Sequence, residues 1–530
     1  MDRILAAGSR DEYGQVLQEK QDIIFKISRQ LNQAGFTPIK TSLIERQSTF
    51  DRYPGTDMFH LYDQAGENLV LRPDMTLPVA RFIETHYRSQ APNRLYYIDD
   101  VFRKTDYLSG DYNQETQARI ELIGDASLGA EQKAIEIMLN LAANFNLGQL
   151  EIVLGDASLI DTILASFPAL SNQQRQALKK SIEQKNLSRF QELTKHLPDL
   201  PAVLTDWPLA FGQRGEEILP KLGQIPAVKP IIIKWQKIAD FIHQHFPNIK
   251  VTVDLAGQAP QPYYTGTMIQ GFLPDLGETL FSGGRYDCLL KNFQGDFCPA
   301  LGMELNIQRL MAAQKQPAKG QHPIVVVLAK GRVEEDVRPL LQAAGIDTSP
   351  LEHPGRRLIF ESADHQFRFI LVKPTDVLKY LDRGIGDIGV VGSDTTDEQE
   401  QNHYDVLDLK RGQAEFVVAA PAGFNLNNSQ RHRIATKYPK RAGSYFNSRG
   451  QDVELIKLEG SVELGPLTGL ADAIMDISQT GNTLKANQLE VYDTVCQVST
   501  HLLVRRGALW QHQQQLTKVI EALINELKGV

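Results

Sequence analysis

Cysteine is scarce. The 530 residues hold three, Cys288, Cys298 and Cys496, and none stands in a CxxC spacing or a His/Cys cluster. Neither a disulfide framework nor a structural zinc site is therefore indicated. Long apolar runs are missing too, and none reaches the roughly 20 residues of a membrane-spanning helix. The opening residues, MDRILAAGSRDEYG, carry no basic flank followed by an apolar core, so no secretory leader is read there. Positive charge is not in excess: 56 Lys and Arg against 64 Asp and Glu leave a net charge of -8. Wholesale nucleic-acid binding thus has no electrostatic support. These absences lead to the expectation of a cytoplasmic protein with neither nucleic acid nor membrane as partner. What is present is ordinary globular material, 42% hydrophobic and 23% charged. The length suits about three domains.

The most informative stretch is Asp476-Ile477-Ser478-Gln479-Thr480-Gly481-Asn482-Thr483-Leu484. Ala473, Ile474, Met475 and Ile477 read as a buried strand, Thr480 to Thr483 as a tight loop, and Leu484 to Asn487 as the opening of a helix. Such a loop aims backbone N–H groups and two hydroxyls at one point, which suits a phosphate. Asp476 would repel that phosphate but can accept hydrogen bonds from the hydroxyls of a sugar attached to it. An acid followed by Thr-Gly-x-Thr is what a 5-phosphoribosyl group needs. Taken alone, the loop is equally an ordinary strand-to-helix turn with a capping Thr.

The chain divides in two. Residues 313–323 read as a linker, poor in large apolar residues and rich in Gln, Lys, Pro and Gly. After it, Ile324 to Leu328 starts a strand/helix alternation that predicts mixed α/β sheets with helices on both faces. The lobes are expected at 324–415 with 500–530, and at 416–499. Residues 1–312 have a different texture: a long first helix over Gln15 to Ala34, short strands, and a helix-rich insertion at about 159–246. That pattern predicts an α+β domain.

Residues 324–530 resemble the short-form catalytic subunit of ATP phosphoribosyltransferase. The pieces are Leu328-Ala329-Lys330-Gly331-Arg332, Arg356 to Phe360, Asp387 to Asp394, Arg433 to Pro439, Gly460 to Pro466 and the phosphoribosyl loop, in the family's order. The resemblance implies an α/β two-lobed fold like that of periplasmic binding proteins, with the active site in the cleft. It implies a glycosyltransferase that joins adenine N1 of ATP to C1 of phosphoribosyl pyrophosphate, the first step of histidine biosynthesis. Departing pyrophosphate needs cations, and Lys330, Arg332 and Arg356 are the candidates. Glu463 and Asp476 would hold the ribose hydroxyls. Thr480, Gly481, Asn482 and Thr483 would hold the 5-phosphate. Mg²⁺ is the expected cofactor, bridging pyrophosphate oxygens. No side chain stands out as a general base. Read singly, Lys330 and Arg332 are a solvated turn and Glu463 a helix-start acid. The extra regulatory domain of the family's long form has no counterpart after Val495.

Residues 1–312 resemble the class II aminoacyl-tRNA synthetase fold, most closely histidyl-tRNA synthetase. Leu71 to Thr76, Asp100-Val101-Phe102-Arg103, Tyr263-Tyr264-Thr265-Gly266, Ser282 to Asp287 and Gln308-Arg309-Leu310 carry the likeness. The departures are more telling. An Arg-Gly pair expected before the tandem tyrosines is Ala259-Pro260, and that arginine supports adenylate formation. An expected Arg-Glu-Phe is Asn113-Gln114-Glu115, and an expected glycine is Asn306. The anticodon-binding domain is replaced by the linker and the transferase. This half therefore resembles the synthetase-like regulatory subunit of the same transferase, which implies feedback inhibition by histidine as allosteric effector. Its amino-acid pocket would be Asp74, Thr76, Arg103, Gln117, Glu121, Tyr263 and Tyr264. Gln117 and Glu121 flank Arg119 at a spacing that shares one strand face. Both resembled subunits self-associate, so a homo-oligomer is expected, with ATP and phosphoribosyl pyrophosphate as substrates. Two rivals stand beside this reading: an active histidine–tRNA ligase fused to a transferase, and a solute-binding protein without catalysis.

Overall fold

The computed structural model describes every residue except 1–4, 52, 54–57, 87–92, 106–110, 146, 148, 196, 198–203, 206, 275, 290–297, 316–322, 354, 400–402, 427–430 and 529–530. The chain forms two compact units, 1–320 and 321–530.

The first unit is built on an eight-stranded sheet. In spatial order its strands are Thr37–Pro38, Asn93–Phe102, Gln114–Ile123, Ala300–Asn306, Glu278–Arg285, Thr267–Leu273, Glu151–Asp156 and Lys250–Val253. The two edge strands pair in parallel and the inner pairs are antiparallel. The Gln114–Ile123 strand shows how the sequence sorts its two faces. Ala118, Ile120 and Leu122 enter the large core with Ile23, Ile27 and Leu31 of the helix Gly14–Gln33. Gln117, Arg119 and Glu121, one residue out of step, are buried on the opposite face. A polar cluster is thereby held inside a sheet.

Among the described residues, the insertion contains the α-helices Leu159–Ala165, Asn172–Glu183, Leu187–Thr194, Gly212–Leu222 and Lys229–His245. They lie between the parallel strands Glu151–Asp156 and Lys250–Val253, as a crossover between parallel neighbours requires. A buried ion pair fixes the insertion to the sheet: Lys185 Nζ donates to both oxygens of Asp254, at 2.9 and 3.1 Å.

The second unit contains two sheets. The six-stranded one runs Ile359–Glu361, Phe367–Val372, Ile324–Ala329, Ile388–Gly392, Thr500–Arg505, His403–Asp408. The five-stranded one runs Val453–Lys457, His432–Thr436, Ala473–Ser478, Ala414–Pro421, Leu489–Val498. The chain crosses between the sheets twice, between Asp408 and Ala414 and between Val498 and Thr500. Parallel pairing dominates the centre of the first sheet, where Ile324–Ala329 lies between Phe367–Val372 and Ile388–Gly392. Among the described residues no helix is long and apolar enough to cross a membrane.

Several expectations shift. The helix Ile307–Lys315 runs through the first residues of the expected linker. Ala, Gln and Lys are good helix formers, and Lys315 pairs with Glu19 at 3.0 Å. Residues 316–322 of that stretch lie outside the described residues. The strand Ala473–Ser478 extends two residues past Asp476. The loop after it shortens to Gln479–Gly481, and the helix already begins at Asn482. The strands His403–Asp408 and Leu489–Val498 and the short helix Arg506–Gln511 were not read from the sequence.

Candidate active site

A cavity of about 440 Å³ opens between the two sheets of the second unit. It lies at the carboxyl ends of Ile388–Gly392 and Ala473–Ser478, where open α/β sheets bind ligands. Arg332, Asp394, Glu463, Asp476 and the whole run Gln479 to Thr483 line it. The ribose and phosphate candidates from the sequence thus meet in one cavity. Gly481 sits at φ +70°, in the left-handed region that favours glycine. It lets the chain turn sharply from strand to helix. That helix, Asn482–Ala486, has five residues, so the loop's N–H groups and hydroxyls outweigh any dipole.

Arg332 opens the helix Arg332–Ala343 in the six-stranded half. Its Nη1 donates to Gln479 Oε1 of the loop, and its Nε lies 3.7 Å from Asp336. The turn before it needs Gly331, which holds φ +101°. Lys330 and Arg356 are exposed and do not line the cavity. Lys330 follows its strand end and gives its backbone N–H to Val372 O. Arg356 stands in a turn before the edge strand Ile359–Glu361. Of the three expected cations, the cavity gathers one.

The acids crowd each other. Burial, with the like charges of Glu463 and Asp394, pushes the Asp476 carboxyl up to about 6, against a pull downward from the Ile477 N–H and Lys437. Across the cleft, Tyr438 donates its hydroxyl to Asp394 Oδ2 at 3.0 Å. Burial first, and the Asp394 charge second, raise the Tyr438 phenol well above its usual range. A second tie joins the same two sheets. Glu398, ending the helix Ser393–Glu398, accepts from Arg441 N at 2.7 Å and Lys440 N at 3.1 Å, in the first turn of the helix Pro439–Ser448. Asp472 is bonded to Arg433 through backbone and side chain, at 2.8 and 2.9 Å.

The first unit holds the second cluster. Asp74 accepts from the N–H groups of Thr76 and Leu77, from Arg119 at 2.8 Å and from Tyr263 at 3.2 Å. Fully buried Glu121 accepts from Tyr97 at 2.7 Å, from Tyr286, and from Thr76 at 3.4 Å. Burial raises the Glu121 carboxyl, while Arg119 and the two tyrosine hydroxyls oppose the rise. Gly302 lies opposite Glu121 in the sheet, and a Cβ there would come within 2.1 Å of Glu121 Oε2. Tyr263 and Tyr264 stack with centroids 5.4 Å apart. Gln117 Oε1 and Arg119 Nε are buried without a hydrogen-bond partner. Arg103 stands slightly apart: its Nε donates to Pro73 O at 2.9 Å and Tyr53 Oη at 3.1 Å, and its Nη1 is 3.6 Å from Glu115. The structure gathers Asp74, Thr76, Glu121 and Tyr263 directly through these bonds.

Sequence reasoning missed Arg119, Tyr97 and Tyr286. Arg119 was within reach, because it shares the period-two face of Gln117 and Glu121. Tyr97 comes from the neighbouring strand and Tyr286 from just past the strand Glu278–Arg285, and only the sheet pairing brings them to Glu121. In the second unit Asp394 and Tyr438 were seen inside family-like runs but given no role.

The family model for Histidyl-tRNA synthetase matches residues 8–310, and that for ATP phosphoribosyltransferase matches residues 373–529. An "ATP phosphoribosyltransferase regulatory subunit" of Lactiplantibacillus plantarum is 38% identical over 330 residues, 61% of this chain and 85% of that protein. An "ATP phosphoribosyltransferase" of Lacticaseibacillus casei is 50% identical over 200 residues, 38% of this chain and 94% of that protein. Among solved structures, an ATP phosphoribosyltransferase regulatory subunit/histidyl-tRNA synthetase from Bacillus halodurans superposes with a TM-score of 0.53 at 23% identity. It covers 70% of this chain and 99% of that one, a likeness of fold.

Proposed function

Since the chain belongs to the histidyl-tRNA synthetase family over residues 8–310, in its transferase regulatory-subunit branch, and to the ATP phosphoribosyltransferase family beyond them, we propose that one polypeptide holds both the catalyst and its governor. The protein is an ATP phosphoribosyltransferase, a glycosyltransferase that condenses ATP with phosphoribosyl pyrophosphate to N1-(5-phosphoribosyl)-ATP and pyrophosphate. This reaction is the first step of histidine biosynthesis. The setting is the cytoplasm, and the working form a homo-oligomer.

The observation that carries the site assignment is the cavity that puts Asp476, Glu463 and the Thr480–Thr483 run side by side. The loop takes the 5-phosphate, and the two acids take the ribose hydroxyls. Arg332 takes charge on the departing pyrophosphate, swinging from Gln479 to do so. Lys330 and Arg356, exposed in the free chain, reach the leaving group only once substrate is bound. Mg²⁺ would be held chiefly by pyrophosphate oxygens with few protein ligands. When bound, it neutralises charge on the leaving group.

Histidine is the effector, held where Asp74 and Glu121 offer carboxylates and Tyr263 and Tyr264 a ring surface. Thr76 and Gln117 complete the polar lining, and Arg103 meets the effector's carboxylate. Inhibition follows if histidine binds one of two states of the whole chain more tightly. Ala259, in place of the arginine that adenylate formation needs, argues against residual ligase activity. The test is to mix ATP, phosphoribosyl pyrophosphate and Mg²⁺ and to follow adduct absorbance with and without histidine. Adduct that falls as histidine rises supports both halves of the reading. No adduct, or histidine-dependent pyrophosphate exchange into ATP without the sugar substrate, refutes it.

A further inference from the structure

We propose that Asp394 is a catalytic residue of the transfer: its carboxylate reads the exocyclic amine of adenine and takes a proton from it as the N1–C1 bond forms. The inference rests on the placement of the ribose at Glu463 and Asp476.

Asp394 stands on the first turn of the helix Ser393–Glu398, on the six-stranded side of the cavity. The ribose acids belong to the five-stranded side, so Asp394 faces them from the opposite wall. Its orientation is fixed. Tyr438 holds Oδ2 at 3.0 Å, and Tyr438 is itself buried with its ring edge-on to Phe416 at 4.9 Å. Among the described residues no donor reaches the other oxygen, Oδ1. That oxygen lies over Gly392, where a Cβ would come within 2.1 Å of it. A glycine thus leaves Oδ1 room.

Charge then selects the occupant. Both substrates are polyanions, and with only Oδ2 paired a third carboxylate in their cleft is costly unless Oδ1 also meets a donor or a developing cation. Pyrophosphate and the 5-phosphate are repelled by it. The ribose hydroxyls already have two acids. The adenine amine remains, and it satisfies both conditions. The N1 lone pair forms the N1–C1 bond while the C1–O bond breaks and its electron pair leaves on pyrophosphate. The ring becomes a cation spread over N1, C6 and N6. One N6 proton passes to Asp394 Oδ1, leaving the neutral imino adduct, and Asp394 returns the proton to solvent. A 6-oxo purine offers no N–H at that position, so the same oxygen discriminates against guanine.

Two measurements test this on the full chain. Asp394→Asn should lower kcat about a hundredfold while leaving phosphoribosyl pyrophosphate affinity unchanged. Tyr438→Phe, which loses the bond that orients Asp394 but keeps its carboxylate, should lower kcat by no more than about tenfold, clearly less than Asp394→Asn. Equal impairment of both variants would reduce Asp394 to a clasp and overturn the proposal, as would an undiminished Asp394→Asn. Independently of any variant, purine riboside triphosphate, which lacks the amine, should compete with ATP at least about tenfold more weakly than ATP itself binds. Equal affinity would overturn the proposal even if Asp394→Asn failed to fold. Should Asp476→Asn leave phosphoribosyl pyrophosphate affinity intact, the ribose placement fails instead, a separate outcome.

Discussion

Asp476 is a carboxylate kept under stress. Its folded pKa of about 6 lies above the ordinary 3.8, so the folded chain holds this proton more tightly than the unfolded chain does. The destabilisation is absent below pH 4, grows between pH 4 and 6, and is complete above 6. Asp476→Asn should therefore raise the stability of the ligand-free protein at pH 7.5 by about 1–3 kcal/mol and leave it unchanged at pH 4. Thermal melts at the two pH values check this, and the same variant should lose affinity for phosphoribosyl pyrophosphate. Arg332 carries the complementary burden: Arg332→Ala should raise the barrier by about 2–4 kcal/mol, read as kcat, with the fold intact. In the other unit, Glu121→Ala should remove histidine sensitivity while leaving uninhibited turnover in place. A dose–response curve in histidine decides it, and retained inhibition would move the effector site elsewhere. At this scale much was legible in the sequence. Glu463, Asp476 and Thr480 to Thr483 lie close in the chain, and local order alone brings the last five together. Lys330 and Arg356 were harder, because whether a surface cation turns toward a cleft depends on a bound anion that the sequence does not describe.

Among elements, the period-two alternation of Gln114–Ile123 explains how a polar cluster survives inside a sheet: alternate residues enter a core or a pocket without compromise. That face could be read from the sequence. The register opposite it could not, and Gly302 falls across from Glu121 through pairing between strands far apart in the chain. The helix Pro439–Ser448 shows the same limit. Its first turn lacks a side-chain cap of its own, and Glu398, at the end of the helix Ser393–Glu398, accepts from two of its N–H groups. Glu398→Ala should cost about 0.5–2 kcal/mol of stability, measured by denaturant unfolding, as other lost caps do. The two strands missed by pattern reading have a physical excuse. Leu489–Val498 keeps most of its residues half-buried or exposed, and His403–Asp408 breaks register between Asp405 and Leu407, so neither shows a clean alternation.

For the whole molecule, joining the two units in one chain fixes their ratio and keeps them at high local concentration. A protease site placed within residues 316–322 tests what that linkage does. Cutting it should leave turnover intact while making histidine inhibition fade on dilution, as an intramolecular encounter becomes a bimolecular one. Inhibition that persists at any dilution would mean that the units stay associated without the link. The two-unit division was visible as a change of texture around residue 320, where a stretch poor in large apolar residues gives way to the buried strand Ile324–Ala329. The Glu398 contacts have a consequence for motion. Whenever the two sheets of the second unit part, the amides of Lys440 and Arg441 lose their acceptor and meet water. Deuterium uptake at those two positions is therefore a clock for breathing of the cleft, running fast in the empty enzyme and slowing as substrates hold the jaws together.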